Sequence, residues 1–219
     1  MIRADLHVHT YYSIDCHTPL EPIVDHCIDI GINCLAISDH NTIAGALKLH
    51  EMAPFKVIVA EEIKTSVGEL MGLFLAEEIP KGLAPEETIA RIRSQGGLVG
   101  IPHPFGRYLH LSFRRERRNL LSPEILPQVD IIEVFNSRNL SPNSSTKART
   151  LAQKYGLAAS AGSDAHTLAE IGKAYVEMPE FRGPDDFLES LSQGTIFGRN
   201  SSPLVHLAST WAKLRKGSC

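Results

Sequence analysis

Asp5-Leu6-His7-Val8-His9-Thr10 is the stretch on which the reading of this 219-residue chain turns. Side chains of a β-strand alternate with period two, so His7 and His9 share a face. Ile2, Leu6 and Val8 supply apolar, strand-forming context, which brings the two imidazoles out together near the strand's end. A neutral ring nitrogen suits Zn, Mn, Fe or Co, so the pair can hold a transition metal. It can equally be a polar strand end whose histidines only hydrogen-bond, and the remainder of the chain has to decide.

Outward from this stretch, strand and helix signals alternate. Thr18 as N-cap, Pro19 at the first helical position and Gly31 past the end punctuate a helix with apolar residues at helical spacing. Cys34-Leu35-Ala36-Ile37-Ser38 is a short apolar run ending at Asp39-His40, and Ile43 to Met52 reads as a helix. Val57-Ile58-Val59-Ala60 ends in Glu61-Glu62, and Gly68 to Leu75 is its hairpin partner across Ser66-Val67-Gly68. Ala84 to Gln95 is helical, Leu98-Val99-Gly100-Ile101 runs into Pro102-His103, and 107–122 is a polar, basic excursion. Val129 to Phe135 is a strand ending at Asn136-Ser137-Arg138, and Ser145 to Tyr155 is a helix. Leu157 to Gly162 then leads to Ser163-Asp164-Ala165-His166, followed by a strand at Ala174 to Met178 and a helix at Pro184 to Gln193.

This alternation predicts an α/β chain with a mostly parallel sheet, organised as one domain over 1–219. Run after run ends, at its carboxyl end, in His, Asp, Glu or Asn. In a (β/α) barrel those ends share the rim where barrel enzymes place their chemistry.

A net charge of -3 with 43% hydrophobic and 21% charged residues describes an ordinary soluble protein and argues against a nucleic-acid-coating one. Cys16, Cys27, Cys34 and Cys219 form no CxxC pair and look like reduced thiols. No apolar run approaches the roughly 18 residues needed to span a bilayer. The expected location is cytoplasmic, with no membrane anchor and no large protein partner.

The strand ends collect His7, His9, Asp15, His40, Glu62, Glu69, His103, Asp164 and His166. Imidazoles mixed with carboxylates, without thiolates, fit a hydrolytic cluster of Zn, Mn or Fe better than a structural zinc site. A bridging carboxylate such as Glu62 would let two cations share a hydroxide, and phosphoester hydrolysis is the reaction such a site serves. Asp39 is read as an acceptor behind a metal-bound imidazole. Asn136 and Arg138, at another strand end, are candidates for a substrate phosphate or for loop capping. Arg107 and the run Arg114-Arg115-Glu116-Arg117-Arg118 lie on the same side; arginines suit bidentate phosphate recognition, although a charge run is usually a solvated face.

His7-x-His9, Tyr12-Ser13-x-Asp15, Ser38-Asp39-His40-Asn41-Thr42, Glu62-Ile63-x-Thr65, Ile101-Pro102-His103-Pro104 and Gly162-Ser163-Asp164-Ala165-His166 together resemble the PHP (polymerase and histidinol phosphatase) family. The resemblance implies a distorted seven-stranded, TIM-like (β/α) barrel with two or three divalent ions. It assigns one ion to His7, His9, Glu62 and Asp164, a second to Glu62, His103 and Glu69, and a third to Asp15, His40 and His166. The spacing of the family's E-I-x-T motif selects Glu62 over Glu61. Two positions depart from the family pattern: many relatives carry His where Glu69 stands, and relatives place the acid of the tyrosine-serine turn at the position of Ile14, not Asp15.

The expectation is therefore a hydrolase acting on phosphoric ester bonds. It would cleave a small phosphomonoester or nucleotide by attack of a metal-activated hydroxide, with His7, His9, Glu62 and Asp164 carrying the chemistry and Asn136, Arg138, Arg107 and Arg115 meeting substrate. The alternatives are an exonuclease-type phosphodiesterase on short oligonucleotides, a histidinol phosphatase and a catalytically silent metal-binding domain.

Overall fold

The structure is a computed structural model that describes residues 1–106, 120–141 and 143–216. Arg107, Arg115 and the rest of the Arg114–Arg118 run lie outside the described residues. Among the described residues no helix is long and apolar enough to cross a membrane.

Strands β1 (Ile2–Val8), β2 (Cys34–Ile37), β3 (Lys56–Thr65), β4 (Gly68–Leu73), β5 (Leu98–Ile101), β6 (Ile131–Asn136) and β7 (Ala158–Gly162) lie side by side in chain order. Two more, β8 (Ala174–Met178) and β9 (Thr195–Gly198), continue the sheet beyond β1. The pairs β1–β2, β2–β3, β5–β6 and β6–β7 are parallel, whereas β4 runs antiparallel to both of its neighbours. The reversal follows from the short link between Thr65 and Gly68, which suffices for a hairpin but not for a crossover.

β1 divides its partners. Its first residues pair antiparallel with β8, Ile2 opposite Met178 and Ala4 opposite Val176. Its carboxyl end takes the segment after β7 instead: the Asp164 N–H donates to the His7 carbonyl at 2.8 Å and the His9 N–H to the Ala165 carbonyl at 3.0 Å. A register irregularity falls between Asp5 and Val8, where the strand passes from apolar packing to the histidine pair. The sheet thereby curls into a nearly closed barrel, the TIM-like α/β architecture that the sequence predicts.

Helices α1 (Leu20–Ile30), α2 (Ala44–Met52), α3 (Pro85–Ser94), α4 (Ser144–Tyr155), α5 (Pro184–Ser192) and α6 (Val205–Lys216) complete the described elements of this type. α1 starts after Pro19, not on it, because the Thr18 hydroxyl expected to cap it donates to the His166 carbonyl at 3.0 Å. Its end follows the sequence: Gly31 takes φ +74° and returns its N–H to the last-turn carbonyls. The sequence predicts no element beyond residue 193, and β9 and α6 are additions. Ile2, Ala4, Leu6, Ala36, Met71 and Ile131 pack together in one cluster with Phe181 and Phe187. Ile23, Cys27, Ile37 and Leu49 join α1 and α2 to the sheet, and Ile89, Ile92, Ile132 and Ala152 do the same for α3 and α4.

The meeting of β1 and β7 depends on a missing side chain. A Cβ at Gly162 would lie 2.3 Å from His7 Cβ and 2.8 Å from His7 N. Gly162→Ala is therefore expected to push the strands apart and cost about 1–3 kcal/mol, as overpacking does. Urea unfolding checks this, and an unchanged midpoint would refute the close approach.

Candidate metal centre

The side chains singled out by sequence arrive from separate strand ends. His7 lies in β1 and His9 one residue beyond it; His40 follows β2, Glu62 lies within β3, His103 follows β5, and Asp164 and His166 follow β7. Seven of the nine candidates are buried, while His40 and Glu69 are partly so. Among the described residues the ligand atoms of His7, His9 and Asp164 lie within 4.8 Å of one another, as do those of three further sets. These are His7, Glu62 and His103; His9, Asp15, His40 and His166; and His40, Glu62 and Glu69.

The spacings suit a cation. A tetrahedron of donors about 2.0–2.1 Å from its centre has edges of roughly 3.3 Å. His7 Nε2 lies 3.1 Å from His9 Nε2 and 3.4 Å from Glu62 Oε2. His9 Nε2 lies 3.5 Å from Glu62 Oε2 and 3.3 Å from Asp164 Oδ1, and His7 Nε2 is 3.8 Å from the same Asp164 oxygen. Glu62 faces two ways: Oε1 approaches His103 Nε2 at 2.8 Å, while Oε2 approaches His7, His9 and, at 3.3 Å, His40 Nδ1. Asp15 spans a third place, with Oδ2 3.2 Å from His40 Nε2 and Oδ1 3.2 Å from His166 Nε2. His9 Nδ1 is buried and has no hydrogen-bond partner among the described residues.

Local backbone explains several of these positions. Glu61 and Glu62 point to opposite faces of β3: Glu61 Oε2 accepts the Ile79 N–H at 2.9 Å, leaving Glu62 for the centre. The Glu62 backbone is bracketed by Asp39 O and Asn41 N, at 3.2 and 3.1 Å. Asp15 comes into range on a turn held by Ser13, whose hydroxyl donates to Asp15 Oδ1 at 2.8 Å and accepts the His40 N–H at 3.3 Å. His103 and Asp164 adopt φ +30° and +55°, in the left-handed region that residues with a Cβ rarely enter. Such strain gathers at functional sites.

The first and third groupings that the family resemblance implies recur in these distances, whereas the second does not. His7, not Glu69, stands with Glu62 and His103. Glu69 pairs across the β3–β4 hairpin from Lys64, a register that brings it toward His40 and Glu62. His9 joins Asp15, His40 and His166, its ring centroid 4.3 Å from that of His166. Asp39 does not back an imidazole: its oxygens take the Thr10 N–H and the Thr10 hydroxyl, both at 2.6 Å, and so fix the turn after His9. Burial raises Asp39 to about 6.

Glu133 was missed, because an acid within β6 reads as an outward-facing strand residue. It is buried; Oε1 lies 3.1 Å from His7 Nδ1, and Oε2 accepts the His103 N–H at 2.6 Å. Accepting the Nδ1 proton of His7 leaves Nε2 bare toward the centre, the usual support for a metal-bound histidine. An acid amid apolar neighbours in a strand was the available signal. Asn136 steadies two carboxylates, its amide 3.0 Å from Glu133 Oε2 and 3.3 Å from Asp164 Oδ2. The Arg138 guanidinium, buried at 6% exposure, reaches Glu170 Oε1 at 3.1 Å, Val205 O at 2.9 Å, Ser209 Oγ at 3.0 Å and His166 Nδ1 at 2.6 Å. It is engaged in tying α6 to the site. From α6, Lys213 Nζ lies 3.1 Å from Asp15 Oδ2, and Lys216 donates to the carbonyls of Tyr11, Ser13 and Cys16.

The charges oppose one another across the cluster. Burial disfavours ionised Glu62, yet His40, His7 and His103 hold it well below the carboxylate range. Asp164 is held down in the same way by His7, His9 and His166, and Asp15 by His166 and His40. Burial and then His166 lower His9 to about 3, so its imidazole stays neutral. Against the effect of burial, the same acids push His40 up to about 10 and His7 well above its ordinary value, so without a cation these imidazoles carry the balancing charge, a place that a bound divalent cation would take over.

Residues 5–121 match the PHP domain family and residues 142–196 the PHP-associated family. The chain belongs to the PHP domain family. It is 40% identical over 200 residues to an uncharacterized protein of Methanocaldococcus jannaschii, covering 87% of this chain and 79% of that one. Among solved structures, a two-domain protein of Bacteroides vulgatus containing a predicted PHP-like metal-dependent phosphoesterase superposes with a TM-score of 0.66 at 16% identity, over 90% of this chain. The chain spans 65% of that protein's length. The lesion-specific endonuclease PfuEndoQ of Pyrococcus furiosus superposes with a TM-score of 0.65 at 16% identity, over 89% of this chain and 57% of its own. Both structural likenesses concern the fold.

Glu133→Gln cannot accept both the His7 Nδ1–H and the His103 N–H. Its affinity for manganese or zinc is expected to fall about ten- to a hundredfold, read by calorimetry. Affinity equal to the unaltered protein would remove Glu133 from the site.

Proposed function

We propose that this chain is a metal-dependent hydrolase of phosphoric esters acting on a small phosphomonoester. One observation carries the reading: the Glu62 carboxylate turns one oxygen to His103 and the other to His7, His9 and His40, as a bridge between adjacent cation places would. Divalent zinc, manganese or iron, when bound, would supply Lewis acidity, a water of lowered pKa and neutralisation of phosphate charge. His7, His9, Asp164 and one oxygen of Glu62 would hold a first ion; the other Glu62 oxygen and His103 would serve a second; and Asp15, His40 and His166 a third. Glu133 fixes the ring of His7 and the backbone of His103, and Asn136 orients Asp164, so the donors are positioned before any ligand arrives. Membership of the PHP family and the fold shared with a predicted phosphoesterase support the same chemistry. The reading needs neither a membrane nor a protein partner.

A second reading, cleavage of short oligonucleotides from one end, draws on the basic run Arg114–Arg118.

Protein supplied with manganese is expected to release phosphate from a generic aryl phosphate, to lose this activity in chelator and to regain it when metal returns. His7→Ala and Asp164→Ala should each lower turnover at least about a hundredfold, the scale on which supporting groups alone act; undiminished turnover in both would refute the assignment. Parallel assays on a nucleoside monophosphate and an end-labelled oligonucleotide separate the two readings.

A further inference from the structure

Helix α6 lies against the candidate metal centre. Arg138 grips its first turns, Lys213 meets Asp15, and Lys216 donates to the loop that carries Asp15. Beside this helix is a pocket of about 510 Å³. Asp15, His17, Thr18, His166 and Thr167 contribute polar lining, and Pro19, Leu168, Ala212 and Trp211 contribute apolar and aromatic surface. Trp211 is the chain's single tryptophan and is 54% exposed. His17 meets the indole edge-on at 5.7 Å between centroids, and the Arg215 guanidinium lies 4.3 Å over the ring.

We propose that this pocket is the leaving-group subsite and that it takes a flat aromatic ring carried on a phosphate ester. The assignment rests on the phosphoesterase reading, since it locates the ester's organic part relative to the reacting phosphate. Asp15 and His166 belong at once to a candidate ion set and to the pocket lining, so a phosphate held at that set directs its substituent here. The volume falls within the roughly 300–1,000 Å³ of small-molecule sites, whose lining is mostly apolar with a few convergent polar groups. Ala208 and Ala212, one helical turn apart, keep the α6 side of the pocket low next to Trp211. A ring can lie along such a surface against the indole, one face of which Arg215 already covers, as nucleobases do on aromatic side chains. A sugar phosphate without a ring would leave Pro19, Leu168 and Trp211 uncovered.

The single tryptophan makes the test direct. Adenosine and phenol, the leaving groups of a nucleoside monophosphate and of phenyl phosphate, carry no charge and need no cation. Each is titrated into metal-free protein while Trp211 fluorescence is read, with ribose as the control. Saturable quenching by an aromatic compound and none by ribose is the expected result; the tighter of the two says whether the ring is borne on a sugar or on the ester oxygen itself. Equal effects of ribose and the aromatic compounds, or no effect of either aromatic compound, would overturn the proposal. In metal-loaded protein, Trp211→Ala should lower the kcat/KM ratio for adenosine monophosphate over glycerol phosphate about tenfold or more, through KM, the scale of one lost base stack. Trp211→Phe should restore most of that ratio, and an unaltered ratio in Trp211→Ala would again exclude the subsite. Quenching by adenosine in a protein that hydrolyses no phosphoester would sink the phosphoesterase reading while leaving the ring site in place. Phosphate release without ring-selective quenching would do the reverse.

Discussion

Two backbone hydrogen bonds between the end of β1 and the segment after β7 are the constraint on which the rest depends. Asp164 N–H to His7 O and His9 N–H to Ala165 O bring together residues more than 150 positions apart and curl the sheet toward closure. Without them His7 and His9 would project from one end of a sheet while Asp164 and His166 projected from the other. The absence of a side chain at Gly162 permits this approach, and the departure of β1 from β8 partway along its length makes the necessary donors and acceptors available. The seam is thus part of the site, since the same peptide units that close the sheet carry candidate ligands on either side.

Much of this arrangement was legible in the sequence because strand ends are marked twice, once by the apolar run that precedes them and once by the polar residue that follows. His40 after Cys34–Ile37, His103 after Leu98–Ile101 and Asp164 after Ala158–Gly162 all have this form. A parallel arrangement then sends those ends to one rim whatever the details of packing. The sharing of ligands was not legible, because it depends on tertiary distances. Glu69 lies toward His40 because of hairpin register, and His9 joins Asp15 because its ring packs on His166. Asp39 was misjudged for a related reason: proximity in sequence to His40 suggested support for that ring, but the Thr10 turn offers its carboxylate two donors.

Helix α6 escaped the sequence reading for a different physical cause. Helical periodicity is informative when the apolar face is buried, and here Leu207, Trp211 and Leu214 are more than half exposed while only Ala212 is buried. Polar anchors hold the helix instead: the Arg138 guanidinium, the Lys213–Asp15 pair and the Lys216 ammonium among three carbonyls. Such anchors leave no periodic trace. Glu133 was hidden in the opposite way, since its strand was plain but the inward turn of its carboxylate was not.

Glu133 also couples parts of the centre that would otherwise be separate. One of its oxygens sets the tautomer of His7, and the other secures the peptide of His103, which already sits at an unfavourable φ. The imidazole of one candidate ion set and the main chain of its neighbour therefore answer to a single carboxylate. Metal preference in such a centre is a joint property: a change that reshapes one coordination sphere is transmitted to the next, and selection for a different ion would have to retune both together.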